Sequence, residues 1–268
     1  MHEKEYTINS DILNKILENN EELMIKQSTT YMFQWCRSLI FNVQMYLSLM
    51  FFSLIFLPWM IVSRRGALVA VWCFANYVRW SASWIVNLKT EIRGKVPTNE
   101  VLIASKHQSF LDIIMIYSVI PNGRFIMKRE LLYIPIFGQY AYRLGCVAVT
   151  RGKRGRAIFQ MLKDLERRSS IGGQLVVYPQ GTRVEPGKKK PYKIGAALIY
   201  EKLDQTCVPV STNAGYFWPR RGVYRHPGTA VIEFLNPIPP KLDKGDFLKK
   251  LEVVIETSSE QLLLETKY

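Results

Sequence analysis

The chain has 268 residues, of which 48% are hydrophobic, and a formal net charge of +14 at pH 7. This length is sufficient for one sizeable catalytic domain with an appendage, and the hydrophobic content is too low for a polytopic membrane protein. Four widely spaced cysteines without a CxxC pair argue against a disulfide framework and against a metal site, and they favour a reducing compartment.

The positive charge is concentrated in one part of the chain. Residues 121–195 contain sixteen Lys and Arg against four acidic residues, so this stretch has a net charge of +12. We expect it to meet an anionic partner, such as nucleic acid, lipid phosphate or a phosphorylated substrate.

The first strong feature in chain order is the apolar stretch 38–63, which has no charged residue across 26 positions. About 20 apolar residues cross the hydrocarbon core of a bilayer as a helix. The stretch therefore predicts a membrane helix, although a buried helix of a soluble domain has the same composition.

A second apolar run, 66–88, contains Arg79 and is rich in tryptophan. Trp rings favour the boundary between lipid and water. We therefore interpret residues 36–90 as a two-helix membrane anchor, whose second helix either spans the bilayer or lies on it. Residues 1–35 form a polar N-terminal tail before the anchor.

Residues 91–268 alternate short apolar runs with amphipathic ones, such as the helical pattern in 155–168. This alternation predicts an α/β domain with a mixed, largely parallel sheet flanked by helices. Ligands of such domains bind at the carboxyl ends of the strands. The predicted strands are 101–105, 124–128, 146–150, 174–178, 208–212 and 230–235.

The sequence KHQSFLD (106–112) follows the first of these strands and contains a His–Asp pair five residues apart. Five residues of an ideal helix turn through about 500°, so the two side chains meet only if His107 lies in the turn and Asp112 opens the helix. The carboxylate would then hold one imidazole nitrogen and leave the other free as a base. A plain helix start, where an acidic residue is favoured by the helix dipole, predicts the same residues.

A second motif, VVYPQGTR (176–183), places Gln180, Gly181, Thr182 and Arg183 after another predicted strand. Glycine permits close approach of the backbone, threonine has a hydroxyl, and arginine binds phosphate or carboxylate through two donors. An ordinary turn also contains Pro and Gly. The P-loop pattern GxxxxGK[ST] is absent.

Basic residues border the apolar, aromatic segment 125–155, namely Lys128 and Arg129 near one end and Arg151 near the other. Such a border can hold a phosphorylated headgroup while acyl chains stay in lipid. A solvated basic face is the simpler alternative. RNA binding is disfavoured, because the aromatic residues of this segment lie among Ile, Leu and Pro, as in a core.

Taken in order, HQSFLD, KRELLYIPIFG, YPQGTR and VPV resemble the motifs of the glycerolipid acyltransferase family, and most closely those of its bacterial 1-acylglycerol-3-phosphate acyltransferases. The resemblance covers nearly the whole of the predicted α/β domain.

The resemblance implies transfer of a fatty acyl group from acyl-CoA or acyl-carrier protein to the sn-2 hydroxyl of lysophosphatidate, which gives phosphatidate. It makes His107 the general base and Asp112 its orienting partner, without an acyl-enzyme, a metal or a cofactor other than the acyl donor. It implies a bacterial inner membrane location with the catalytic domain on the cytoplasmic side, membrane lipids as partners, and no nucleic acid. The implied substrate-binding residues are Lys128, Arg129, Arg151, Gln180, Gly181, Thr182, Arg183 and Pro209.

One residue departs from the family pattern, since the family usually has Glu where this chain has Gln180. Gln keeps the size and hydrogen-bonding capacity of Glu but has no charge. Two alternatives therefore remain at this point. One is the same chemistry on another acceptor, such as a lyso-ornithine lipid or glycerol 3-phosphate. The other is a non-enzymatic membrane protein that binds anionic lipids.

Overall fold

A seven-stranded sheet forms the centre of the molecule. The structure, a computed structural model, describes residues 10–150, 154–168 and 170–266. The strand order is β1-β7-β6-β2-β5-β3-β4. All neighbouring strands are parallel except β6 and β7. The strands are β1 (Leu88–Gly94), β2 (Leu102–Ser105), β3 (Arg124–Lys128), β4 (Val147–Val149), β5 (Leu175–Val177), β6 (Cys207–Thr212) and β7 (Gly228–Phe234).

Helices precede the sheet and cover both of its faces. A 3₁₀ helix at Arg129–Tyr133 follows β3. The mixed, largely parallel sheet flanked by helices confirms the predicted fold class. The helices are α1 (Ser10–Ile55), α2 (Leu57–Val62), α3 (Arg64–Val86), α4 (Leu111–Tyr117), α5 (Phe137–Leu144), α6 (Arg154–Arg167), α7 (Ile194–Leu203), α8 (Ala214–Phe217) and α9 (Lys244–Glu265).

The alternation of side chains along β2 divides the core into two clusters. Ile103 packs with residues of α3 and α4 on one face. Leu102 and Ala104 pack with residues of α6, α7 and α9 on the other face. Successive side chains of a strand point to opposite faces. Continued past the end of β2, this alternation places Lys106 on the α9 side and His107 on the α4 side.

Helix α1 contains the segment Ser28–Ile55, the one helical segment in the described part of the chain that is long and apolar enough to cross a membrane. Helix α3, the second half of the predicted anchor, instead buries nine of its 23 residues and packs against α1 and α2 on the one hand and β1, α4 and α5 on the other. Its Arg79 donates to Thr90 Oγ1 and Ser118 Oγ, both at 2.8 Å. The two-helix anchor is thus not confirmed, and the domain boundaries 1–35, 36–90 and 91–268 remain predictions.

The polar residues within apolar α1 face the rest of the protein. Gln34 Nε2 donates to the carbonyl of Arg225 at 2.9 Å, and the amide of Arg225 donates to Ser38 Oγ at 2.9 Å. Asn42 donates to the carbonyl of Val223 at 2.9 Å and accepts a hydrogen bond of 2.7 Å from the Arg225 guanidinium. The outward face of α1 is apolar and exposed, with Leu39, Ile40, Val43, Leu47, Met50, Phe51 and Leu54.

The contact between Asn42 and Arg225 generates a prediction about stability. Arg225 is buried, and its burial lowers the pKa of the guanidinium to about 10, a sign that the cation is incompletely solvated. Asn42→Ala removes one acceptor of this cation, and we expect it to destabilise the protein by about 1–3 kcal/mol. Val43→Ala, on the exposed face, should change stability by less than about 0.5 kcal/mol. Thermal unfolding in detergent, followed by circular dichroism, measures both variants. Equal melting temperatures of the two variants would contradict a stabilising role of the contact between Asn42 and Arg225.

Candidate active site

The predicted His–Asp pair lies at the carboxyl end of β2, in the turn that leads into α4. His107 Nδ1 lies 3.0 Å from Asp112 Oδ1 and 3.2 Å from Oδ2. The backbone amides of Gln108 and Ser109 both donate to Asp112 Oδ2 at 2.8 Å. The carboxylate therefore both closes the turn before α4 and contacts the imidazole. The helix-start interpretation and the oriented-base interpretation of the motif thus both apply.

Burial divides the roles of the pair. The Asp112 side chain is 0% exposed, whereas that of His107 is 14% exposed. A carboxylate beside Nδ1 favours the tautomer with the proton on Nδ1, which leaves Nε2 with a free lone pair. Within the described residues, no group hydrogen-bonds Nε2. The site thus presents an oriented and partly accessible base.

Tyr178, at the end of the neighbouring parallel strand β5, completes the surroundings of the pair. Its ring stacks on His107, with centroids 4.0 Å apart and planes inclined by 22°. Its hydroxyl donates to Asp112 Oδ1 at 3.4 Å. Burial, and next to it the charge of Asp112, raises the pKa of Tyr178 well above its usual value, so the phenol stays a donor. This role was not predicted from the sequence, although Tyr178 directly follows a predicted buried strand core, at the end of a strand where ligands bind.

The second motif lies against the first. The backbone amide of Val184 donates to the carbonyl of His107 at 2.8 Å. The Arg183 guanidinium lies 6.0 Å from the ring centroid of Phe110. Gly181 has φ +67°, a left-handed conformation that favours glycine, whereas a Cβ there would meet only the movable end of the Lys193 side chain, with Nζ at 2.7 Å. Thr182 lies beside Gly181 in the same half-buried loop. The structure therefore brings Gly181, Thr182 and Arg183 to the same strand ends as His107.

Gln180 points away from solvent, because it is 1% exposed and turned towards α9. Its Nε2 lies 3.3 Å from Glu256 Oε1 and 3.5 Å from the Lys190 carbonyl oxygen. Its Oε1 is buried without a hydrogen-bond partner among the described residues. Pro209 is also buried, within β6 next to β2. The substrate-binding roles of both residues remain predictions.

The predicted phosphate-binding residues Lys128 and Arg129 are exposed, at the end of β3 and the start of the 3₁₀ helix. No ion pair of these two cations is found within the described part of the chain. Exposed apolar side chains follow them at Tyr133, Ile134 and Phe137. Arg151 lies outside the described residues. The expected combination of cations beside an apolar surface is therefore present, with Arg151 unplaced.

Comparisons with known proteins identify the family of the chain. The profile of the Acyltransferase family matches residues 87–213, which include both motifs. A 1-acyl-sn-glycerol-3-phosphate acyltransferase of Pseudomonas aeruginosa is 28% identical over 172 residues, 63% of this chain and 66% of that protein. An enzyme of the same name from Saccharomyces cerevisiae is 30% identical over 204 residues, 72% of this chain and 67% of that protein. The chain belongs to the acyltransferase family, as its motifs indicated.

The fold comparison agrees as well. The crystal structure of the 1-acyl-sn-glycerophosphate (LPA) acyltransferase PlsC from Thermotoga maritima superposes with a TM-score of 0.71, and the match covers 87% of this chain and 98% of that one. At 22% identity this likeness shows the fold. The chain spans only about two thirds of the first two curated relatives above, and 54% of a Helicobacter pylori relative.

The buried phenol generates a prediction on pH. The pKa of Tyr178 is raised in the folded protein, so above about pH 10 the unfolded chain loses this proton while the folded protein keeps it. Stability therefore falls as pH rises, by up to about 1.4 kcal/mol per pH unit for this group. Tyr178→Phe should remove that part of the slope. Urea unfolding of the wild type and of Tyr178→Phe between pH 9 and 11 measures the free energy of unfolding against pH. Equal slopes for the two proteins would contradict the prediction.

Proposed function

We propose that this protein is a 1-acylglycerol-3-phosphate O-acyltransferase, which acylates the sn-2 hydroxyl of lysophosphatidate and gives phosphatidate for phospholipid synthesis. The observation that carries the proposal is His107, held by buried Asp112 with Nε2 free at the carboxyl end of β2. Its curated relatives named above support the same acceptor. The donor is a fatty acyl thioester, either acyl-CoA or acyl-carrier protein.

The reaction needs one base and no covalent enzyme intermediate. His107 Nε2 takes the proton of the acceptor hydroxyl as its oxygen attacks the thioester carbonyl carbon. The Asp112 carboxylate stabilises the imidazolium that forms. When the tetrahedral intermediate collapses, the C–S bond breaks and the imidazolium returns its proton to the leaving thiolate. The products are the ester and a free thiol, and the enzyme is restored.

Acceptor recognition is assigned to cations around the pair. Arg183 lies beside Phe110 of the first motif. Lys128 and Arg129 are exposed at the carboxyl end of β3, which lies on the same side of the sheet as the carboxyl end of β2 and His107. Together with Arg151 they would bind the phosphate of the acceptor. Gly181, Thr182 and Pro209 are assigned to the substrate site by family resemblance.

Membrane attachment follows from the apolar surface. The exposed side of α1 would enter the lipid, with the rest of the 36–90 anchor at the interface. The exposed Tyr133, Ile134 and Phe137 would face the same lipid, close to the cations that bind the headgroup. We place the catalytic domain on the cytoplasmic side of a bacterial inner membrane, where acyl thioesters are available.

The proposed base generates a prediction on activity. We expect His107→Ala to lower kcat by about 10²–10⁴-fold without loss of membrane binding. Asp112→Asn, which keeps the size of the side chain, should lower kcat strongly because the imidazolium loses its counter-charge. The matched control is His226→Ala, a histidine in the loop before β7, which should stay close to the wild type.

The assay offers purified protein a panel of lyso-lipids, including lysophosphatidate, a lyso-ornithine lipid and glycerol 3-phosphate. Each acceptor is tested with acyl-CoA and with acyl-carrier protein, and products are identified by mass. Failure to acylate any acceptor would overturn the enzymatic proposal in favour of an anionic-lipid-binding protein. Acylation of another acceptor alone would overturn the assignment of lysophosphatidate.

Acceptor binding has its own test. Arg183→Lys keeps the charge but loses the two-donor geometry, so we expect the KM for lysophosphatidate to rise by about tenfold. Lys128→Met should raise the same KM. The KM for the acyl donor should change little in both variants. A change confined to the donor KM would contradict the assignment of these cations to the acceptor.

A further inference from the structure

Behind the site, on the α9 face of the sheet, lies a buried polar cluster that the reaction does not use. The ammonium of Lys106, the residue before His107, forms an ion pair with Glu256 Oε2 of α9, and the two side chains are 3% and 9% exposed. The other oxygen, Oε1, accepts hydrogen bonds from Tyr192 at 3.1 Å and from Gln180 at 3.3 Å. One carboxylate therefore satisfies three donors.

These donors come from the chain segments that build the site. Lys106 belongs to the turn that carries His107. Gln180 precedes Gly181 in the second motif, and Tyr192 lies just before α7. Such an ion pair is costly to break, because loss of one partner leaves a buried charge without compensation. The cluster thus fixes both site loops to α9, from the face opposite His107.

The charge balance of the cluster depends on residue 180 being an amide. A Glu at this position would place a second carboxylate where Gln180 Nε2 now lies, 3.3 Å from Glu256 Oε1. Two carboxylates at such a distance cannot both be ionised without strong repulsion. Burial, together with the charge of Glu256, raises the pKa of Tyr192, which therefore remains a donor and brings no further negative charge.

We propose that Glu256 is a positioning residue of the active site, and that Lys106, Gln180 and Glu256 form one interdependent set with a single permitted carboxylate. In this set the one carboxylate is that of Glu256 on α9, and the neutral amide of Gln180 donates a hydrogen bond to it. The inference deepens the proposed function, on which its kinetic test rests. It also gives the departure of Gln180 from the family pattern a physical reason, because a carboxylate at position 180 would face that of Glu256.

The test compares Glu256→Gln, Gln180→Glu and the double variant that carries both changes. Each single change alters the number of carboxylates, whereas the double variant keeps one carboxylate and moves it to position 180. We expect each single variant to lose about 10- to 100-fold in kcat with a nearly unchanged acceptor KM. The kcat of the double variant should be at least tenfold higher than that of the less active single variant.

The matched control is Glu260→Gln, one turn further along α9, where the carboxylate pairs with Lys189 and both side chains are exposed. It makes the same chemical change on the same helix and should leave kcat unaltered. Equal kcat for Glu256→Gln and the control would overturn the proposal. A double variant no better than the weaker single variant would also overturn it.

A pH profile separates positioning by charge from loss of packing. In Gln180→Glu the paired carboxylates should share a proton as the pH falls, so its activity relative to the wild type should rise from pH 8 to pH 6. The double variant should show no such change in the ratio. The ionisable groups of the cluster are Lys106, Tyr192 and Glu256. Those facing it are Glu252 and Glu260 on the same helix and Lys189 from the loop before α7. A pH-independent ratio for Gln180→Glu would contradict the shared charge.

Hydrogen exchange provides a readout that does not need the reaction. In Glu256→Gln the amides of residues 106–112 and 180–184 should exchange at least tenfold faster than in Glu260→Gln. If Glu256→Gln does not fold, the same comparison is made between Gln180→Glu and the double variant. Unchanged exchange rates in both loops would overturn the positioning role of Glu256, whether or not an acceptor lipid is found. A wild type that acylates nothing but shows this exchange pattern would instead overturn the proposed function alone.

Discussion

The carboxylate of Asp112 is the interaction on which the site depends. It is fully buried, and two backbone amides, the imidazole of His107 and the hydroxyl of Tyr178 all converge on its two oxygens. A charge in such a place is tolerated only because these donors replace water. The same bonds hold the turn after β2 in one shape. The hydrogen bonds that compensate the buried carboxylate are therefore also those that orient the imidazole.

A second carboxylate, that of Glu256, has a comparable place on the opposite face of the sheet. Alternation along the end of β2 sends Lys106 to one face and His107 to the other, so adjacent residues connect two polar centres through one short piece of backbone. The segment that follows β5 contributes to both centres as well, with Tyr178 on the His107 side and Gln180 on the Glu256 side. The proposed dependence of the active site on Glu256 rests on this shared backbone.

Much of this arrangement could be predicted from the sequence. The six apolar runs predicted as strands are all present, and the placement of His107 and Asp112 around a strand end is confirmed. Strand β1 was missed, because LKTEIRG is mostly polar and lies at the edge of the sheet, next to β7. Tyr178 and Glu256 were missed for another reason. Their partners lie 66 and 150 residues away in the chain, and only the folded sheet brings them together.

The polar contacts of α1 have a geometric consequence for the depth of the protein in lipid. Gln34, Ser38 and Asn42 are committed to the loop around Arg225, and Gln44 to Ser81 and Tyr77 of α3, so the remainder of the helix beyond these contacts is 45–55. Eleven helical residues extend about 17 Å, less than the roughly 30 Å of hydrocarbon in a bilayer. The helix length left for acyl chains corresponds more nearly to a single leaflet. Under the proposed function, a lysolipid acceptor would then reach His107 by lateral diffusion within that leaflet.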